Sequence, residues 1–153
     1  MSNLKFVDPL INKLEKENLK KAINSGWLSA GPFVDKFEKK LSNIMDVKFG
    51  ITVNNGTNAI FLILMSLNLN RGDEVIVPSF CYISPIHMLK IMGLKPVPVD
   101  IKLDNLQIDT DQISKKINKK TKAILLIHNY GSTCNLKKII KIFYKKKLFI
   151  IED

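Results

Sequence analysis

The stretch Asn54-Asn55-Gly56-Thr57-Asn58-Ala59-Ile60-Phe61-Leu62-Ile63-Leu64 decides how this chain folds. Small polar residues around one glycine run without a break into an apolar segment. Just before it, Phe49-Gly-Ile-Thr-Val53 has the β-branched content of a buried strand. Just after it, residues 58–68 have helix length and few polar positions, which predicts a largely buried helix. A helix that opens after a Gly-Thr turn presents free backbone N–H groups and the positive end of its dipole, a setting that suits a phosphate. The same residues also make a plain N-cap, with Asn55 or Thr57 as the cap and Gly56 relaxing the turn. The rest of the chain has to separate these two readings.

Outward from this turn, the chain alternates strand and helix. Strands are expected at 50–53, 74–77, 96–99, 123–127 and 148–151, each short and nearly continuously apolar. Helices are expected between them at 58–68, 84–92, 111–118 and 135–146. Upstream lie a charged amphipathic arm, the glycine-punctuated loop Ser25-Gly-Trp-Leu-Ser-Ala-Gly-Pro32, and a helix over 33–45 with Phe33, Phe37, Leu41 and Ile44 on one face. Apolar strands separated by helices predict an α/β fold, a mostly parallel sheet with helices on both faces. The expected division is a helical arm and loop over 1–32, followed by one domain over 33–153.

At 153 residues and 46% hydrophobic, the chain is long enough for one sizeable core. No apolar run is long enough to span a bilayer, and the N-terminus lacks the apolar run of a signal peptide, so the cytoplasm is the expected compartment. Cys81 and Cys134 have no metal-ligand spacing and read as free thiols; His87 and His128 have no zinc-motif company. A net charge of +10 and a pI near 9.6 suggest a nucleic-acid binder at first sight. Against that, Arg71 is the only arginine and the lysines have no interleaved aromatic platform. The lysine clusters read as a solvated basic face, with neither nucleic acid nor membrane as a partner.

In parallel sheets, ligands gather at the carboxyl ends of the strands. The residues just after the strands are the Asn55–Asn58 turn, Pro78-Ser-Phe-Cys-Tyr-Ile-Ser-Pro85, His128-Asn-Tyr-Gly131, and the acids Glu152 and Asp153. A phosphate cradle, an aromatic plate and a strand-end carboxylate describe a holder for a flat, phosphorylated, cationic ring, which is the description of pyridoxal phosphate (PLP). A Rossmann site is excluded by the lack of G-x-G-x-x-G and of an acid closing the strand at 74–77. No G-x-x-x-x-G-K-[ST] loop is present either.

The chain resembles the DegT/DnrJ/EryC1/StrS sugar aminotransferases, PLP-dependent enzymes of fold type I. The resemblance is carried by Gly26–Glu38 (GWLSAGPFVDKFE), Asn55-Gly-Thr-Asn-Ala59, Gly72–Ser79 (GDEVIVPS), Lys95-Pro-Val-Pro-Val-Asp100, Lys120–Ile124, His128-Asn-Tyr-Gly131 and Ile150-Ile-Glu-Asp153, in family order. The perosamine type of 4-amino-sugar enzyme is the nearest in flavour. The resemblance implies that Gly56, Thr57 and Asn58 hold the PLP phosphate, Asn58 standing where the family has alanine. It implies that Tyr82 stacks on the ring and that Asp153 pairs with the pyridine nitrogen. Glu152 is then a supporting residue and His128 a loop-ordering one.

By the same resemblance, the lysine that forms the Schiff base lies beyond Asp153. No catalytic residue is therefore expected within 1–153, and the segment alone is expected to be inactive. A complete homologue would move an amino group from an amino acid, expected to be glutamate, to a keto-sugar nucleotide in amino-sugar or surface-polysaccharide synthesis, as a homodimer. A sugar dehydratase of the same family and a non-catalytic remnant stay open as alternatives. The resemblance also implies that the strand at 50–53 does not pair with that at 74–77, and that 148–151 is an open edge.

Overall fold

The computed structural model describes residues 8–153, so the first seven residues of the expected helical arm lie outside the described residues. The chain forms two compact units, with the break in sequence between Thr52 and Val53.

The first unit carries α1 (Lys13–Asn24) and α2 (Pro32–Ile44). Asn12 and Glu15 form a capping box at the start of α1, with the Asn12 amide donating to Glu15 Oε2 at 2.7 Å. Pro32 opens α2, where its missing N–H costs nothing. Neither helix contains a buried residue. Phe33, Phe37, Leu41 and Ile44 of α2 all stand exposed on the face that the sequence marks as apolar.

The expected strand at 50–53 is not one. Its residues are irregular coil, and Ile51 is 73% exposed. The physical reason is the lack of a neighbour: no strand among the described residues pairs with this run, and the Thr52 amide and hydroxyl both donate instead to Glu38 Oε1 of α2, at 2.7 and 2.8 Å. Gly50 lies so close to α2 that an added Cβ would come within 2.7 Å of Ser42 Oγ and 3.1 Å of the Glu38 carbonyl.

The second unit is the α/β body. Its elements run α3 (Gly56–Ser66), β1 (Glu74–Pro78), α4 (Ser84–Ile91), β2 (Lys95–Val99), α5 (Thr110–Lys116), β3 (Thr121–Leu126), α6 (Leu136–Lys146) and β4 (Phe149–Glu152). The four strands form one sheet in the order β2-β1-β3-β4, and every pairing is parallel. The α/β expectation and the four remaining strands hold, with ends shifted by a residue or two. β1 and β3, the central strands, are buried almost throughout. One face of the sheet packs Ile60 and Leu64 of α3 and Leu89 of α4 against Val75, Val77, Leu125 and Ile151. The other face packs Ile113 of α5 and Ile139 and Phe143 of α6 against Ile76, Ile124 and Leu126.

The two edges differ. β2 (Lys-Pro-Val-Pro-Val) carries Pro96 and Pro98 at alternate positions, so the N–H groups it lacks are those that would face away from β1. β4, Phe149-Ile-Ile-Glu152, pairs only with β3 and has no proline, and its first charge comes at its last residue.

Candidate functional site

α3 ends at Ser66, and seven residues return the chain to the amino end of β1 through a turn in which Asn70 and Asp73 bond each other. Its amino end therefore lies toward the carboxyl ends of the strands. There Asn55 caps the helix, its side chain accepting from the Asn58 amide at 2.9 Å, while the Asn58 carboxamide donates to Asn54 Oδ1 at 2.6 Å. The N-cap reading of this turn is thus realised, and it takes up the amide of Asn58. It leaves the amides of Gly56 and Thr57 without an intrachain partner among the described residues, at the positive end of the dipole. Gly56 sits within the first helical turn, and a Cβ there would meet nothing within 4 Å. The fold itself does not demand glycine at this position. What glycine leaves is open space over two free amides, which fits a phosphate group.

Tyr82 lies in the loop between β1 and α4 and is 76% exposed. Asp153 follows β4 and is exposed; its amide donates to the Leu126 carbonyl and its carbonyl accepts from the His128 amide, both at 2.8 Å. The Cys81 thiol, next to Tyr82, is raised above its ordinary pKa first by burial and then by the negative charge of Asp153. No hydrogen bond among the described residues joins the Gly56 turn, Tyr82 and Asp153 directly.

The stretch His128-Asn-Tyr-Gly131 belongs to a polar network whose partners lie far apart in the sequence. The Asn129 carboxamide donates to the Phe80 carbonyl at 3.2 Å and to the Leu106 carbonyl at 3.0 Å. The Asn129 carbonyl accepts from Gln107 Nε2 at 3.3 Å, and Gln107 Oε1 accepts from the Cys134 thiol at 3.1 Å. The exits of β1 and β3 and the segment after β2 are thereby tied together. Burial raises the Cys134 thiol, so it is present as the S–H donor this network needs. His128 Nδ1 accepts from the Cys134 amide at 3.4 Å, which leaves Nε2 to carry the proton toward Glu152 Oε2 at 3.0 Å. His128 thereby joins the loop after β3 to the last residue of β4. Both cysteines are free thiols, and no cluster of metal-binding groups occurs among the described residues.

A parallel α/β sheet with a capped, glycine-led helix at its carboxyl rim defines the class, and comparison with known proteins places the chain within it. The chain belongs to the DegT/DnrJ/EryC1/StrS aminotransferase family, whose model matches residues 9–153. It is 36% identical over 147 residues to the GDP-perosamine synthase of Vibrio cholerae, covering 95% of this chain and 40% of that one. It is also 36% identical over 151 residues to the dTDP-3-amino-3,6-dideoxy-alpha-D-galactopyranose transaminase of Aneurinibacillus thermoaerophilus, covering 99% and 42%. In structure it is similar to the Escherichia coli GDP-4-keto-6-deoxy-D-mannose-3-dehydratase with bound hydrated PLP, with a TM-score of 0.93, 26% identity and coverage of 99% and 40%. A Streptococcus pneumoniae protein named as a sugar aminotransferase, Spr1654, in its PMP form, gives a TM-score of 0.92 at 29% identity, covering 99% and 42%. The chain thus spans about two-fifths of the length of the relatives it matches.

Proposed function

We propose that these residues are the amino-terminal part of a PLP-dependent enzyme that moves an amino group from an amino acid, glutamate in the first instance, to a keto-sugar nucleotide. In this reading, 33–153 belongs to the cofactor-binding large domain and the working enzyme is a homodimer. The observation that carries it is the start of α3: two free amides, a threonine hydroxyl and the open space left by Gly56, at the strand ends where Asp153 also lies. The aminotransferase reading is preferred to the dehydratase because the relatives at 36% identity are a perosamine synthase and a transaminase, whereas the dehydratase matches at 26%.

The roles follow from the groups present. The Gly56 and Thr57 amides and the Thr57 hydroxyl receive the phosphate. Asn58 closes the turn, and release of its bond to Asn55 frees a third donor. Tyr82 offers its ring face to the cofactor. Asp153 holds a proton on the pyridine nitrogen by ion pairing. When bound, PLP supplies a ring that withdraws electrons from the reacting carbon of the substrate. His128, Glu152 and Asn129 keep the rim in register. Residues 1–153 by themselves contain no lysine in the position that the family uses, so they do not transaminate alone.

The test is binding of PLP, followed by absorbance and by competition with inorganic phosphate. Thr57→Ala and Asp153→Asn are expected to weaken it, and phosphate to compete through the Thr57 site. Binding indifferent to all three would overturn the assignment. Borohydride reduction of residues 1–153 with PLP is expected to label scattered surface lysines; one stoichiometric site would refute the proposed inactivity.

A further inference from the structure

From Gln112 to Ile151 the chain has eleven lysines and no aspartate or glutamate. The fold gathers six of them at the amino ends of β3 and β4, opposite the rim described above. One groove of about 470 Å³ is lined by Lys119, Lys122, Lys146 and Lys147. A second, of about 520 Å³, shares Lys146 and adds Lys141 and Lys145. None of these six has an ion-pair partner within 4.0 Å among the described residues.

The nearby acids are already engaged. Glu74 is buried and bonded to Asn118 at 2.6 Å and Lys95 at 3.1 Å. Asp111 is held by Lys138 and Lys102. Asp109 accepts from Gln112 and from the Asp111 amide. Lysines in the last turn of a helix commonly serve the helix dipole, as Lys115 and Lys116 do on α5 and Lys145 and Lys146 on α6. That role does not account for Lys119 and Lys122, which lie in no helix, or for Lys141 in mid-helix.

The outward stripe of α6 narrows the choice of partner. Lys137, Ile140, Lys141, Tyr144 and Lys145 follow one another at helical spacing and are all exposed, Ile140 at 50% and Tyr144 at 85%. A convex stripe of lysines with an aliphatic and an aromatic tip one turn apart suits a flat anionic surface. Lysine neutralises headgroup phosphates as a point charge, and tyrosine settles at the headgroup level. Nucleic-acid surfaces favour the arginine fork and stacked aromatics; the one arginine, Arg71, lies against Gly93, and Tyr144 is the only aromatic on the stripe.

We propose that this face docks the protein on an anionic bilayer, with Lys119, Lys122, Lys141 and Lys145–Lys147 on the phosphates and Ile140 and Tyr144 at the interface. This revises the sequence-based expectation of a solvated face and no membrane partner. It concerns surface docking, not a spanning helix, and it does not depend on the PLP reading.

Co-sedimentation with phosphatidylcholine vesicles, with and without phosphatidylglycerol, tests it. Binding is expected only with phosphatidylglycerol, and it should fall as salt rises. Loss of two lysine contacts weakens binding about thirty-fold on the usual contribution per lysine, so Lys141→Glu with Lys145→Glu should cost at least that much. Ile140→Ser with Tyr144→Ser should also weaken binding at constant charge. Lys36→Glu with Lys39→Glu on α2 changes the net charge equally and should bind as the parent does. Far-UV circular dichroism checks folding, and Lys141→Gln with Lys145→Gln repeats the measurement if the reversal unfolds the chain. Equal binding to neutral vesicles, an equal loss in the α2 control, no binding at all, or tighter binding to duplex DNA or RNA than to vesicles would each overturn the proposal.

Discussion

Asn129 stands where three loops meet, and its carboxamide and carbonyl serve all of them. One of its acceptors belongs to Leu106, a non-glycine residue held at a φ of 58°. Asn129→Ala is expected to cost about 1–3 kcal/mol, because carbonyls of two loops lose their donor together; urea denaturation measures this. At the start of α3, Asn55→Ala removes the cap and is expected to cost about 1 kcal/mol. If the Asn55–Asn58 bond also competes with phosphate, the same variant should bind PLP at least as well as the parent. Glu74 carries a pH signature. Its carboxyl is held below the ordinary value first by the hydrogen bond from Asn118 and then by that from Lys95. A carboxyl with a lowered folded-state pKa contributes stability above its unfolded value of about 4.3, and the contribution is lost as pH falls through the folded value. The urea midpoint should therefore drop in acid, and Asn118→Ala should lower it at neutral pH and flatten that dependence.

At the scale of elements, edge chemistry and helix burial set the expectations. β2 is protected by alternating prolines and β4 is not, so self-association should run through β4. Phe149 is about half exposed at the start of that edge. Phe149→Lys should reduce self-association on size-exclusion chromatography, while Lys95→Ala on the far edge should leave it unchanged. α6 is anchored by Ile139 and Phe143, both fully buried against the sheet. Phe143→Ala is expected to cost about 3–5 kcal/mol, since the sheet cannot collapse into the space left behind.

For the whole molecule, the contrast between the two units governs behaviour. The helices of the first unit bury no residue, whereas the second has a core on both faces of its sheet. Limited proteolysis and amide exchange should open residues 8–52 first and leave a resistant body close to 53–153. The 153 residues made alone are expected to associate through β4 and the apolar face of α2. A monodisperse monomer with one cooperative melt would show a self-sufficient domain and contradict that expectation.

The repeating apolar runs and polar turns determined by themselves that the chain makes a parallel α/β body, because each run carries its own period and its own breakers. The turn at 54–58 likewise announced a capped helix amino end through residues four or fewer apart. The run at 50–53 was misleading for a physical reason: β-branched content reports fitness for a sheet, but a strand exists only when a neighbour pairs with it. Glu38, fourteen residues away, took the Thr52 donor instead. The rim network was equally illegible, since Asn129 reaches Gln107 across 22 positions and Phe80 across 49. Lysines could be counted in the sequence. That six of them surround two grooves at one end of the sheet, without a carboxylate to pair with, was decided only when the strands came together in parallel and brought the starts of β3 and β4 side by side.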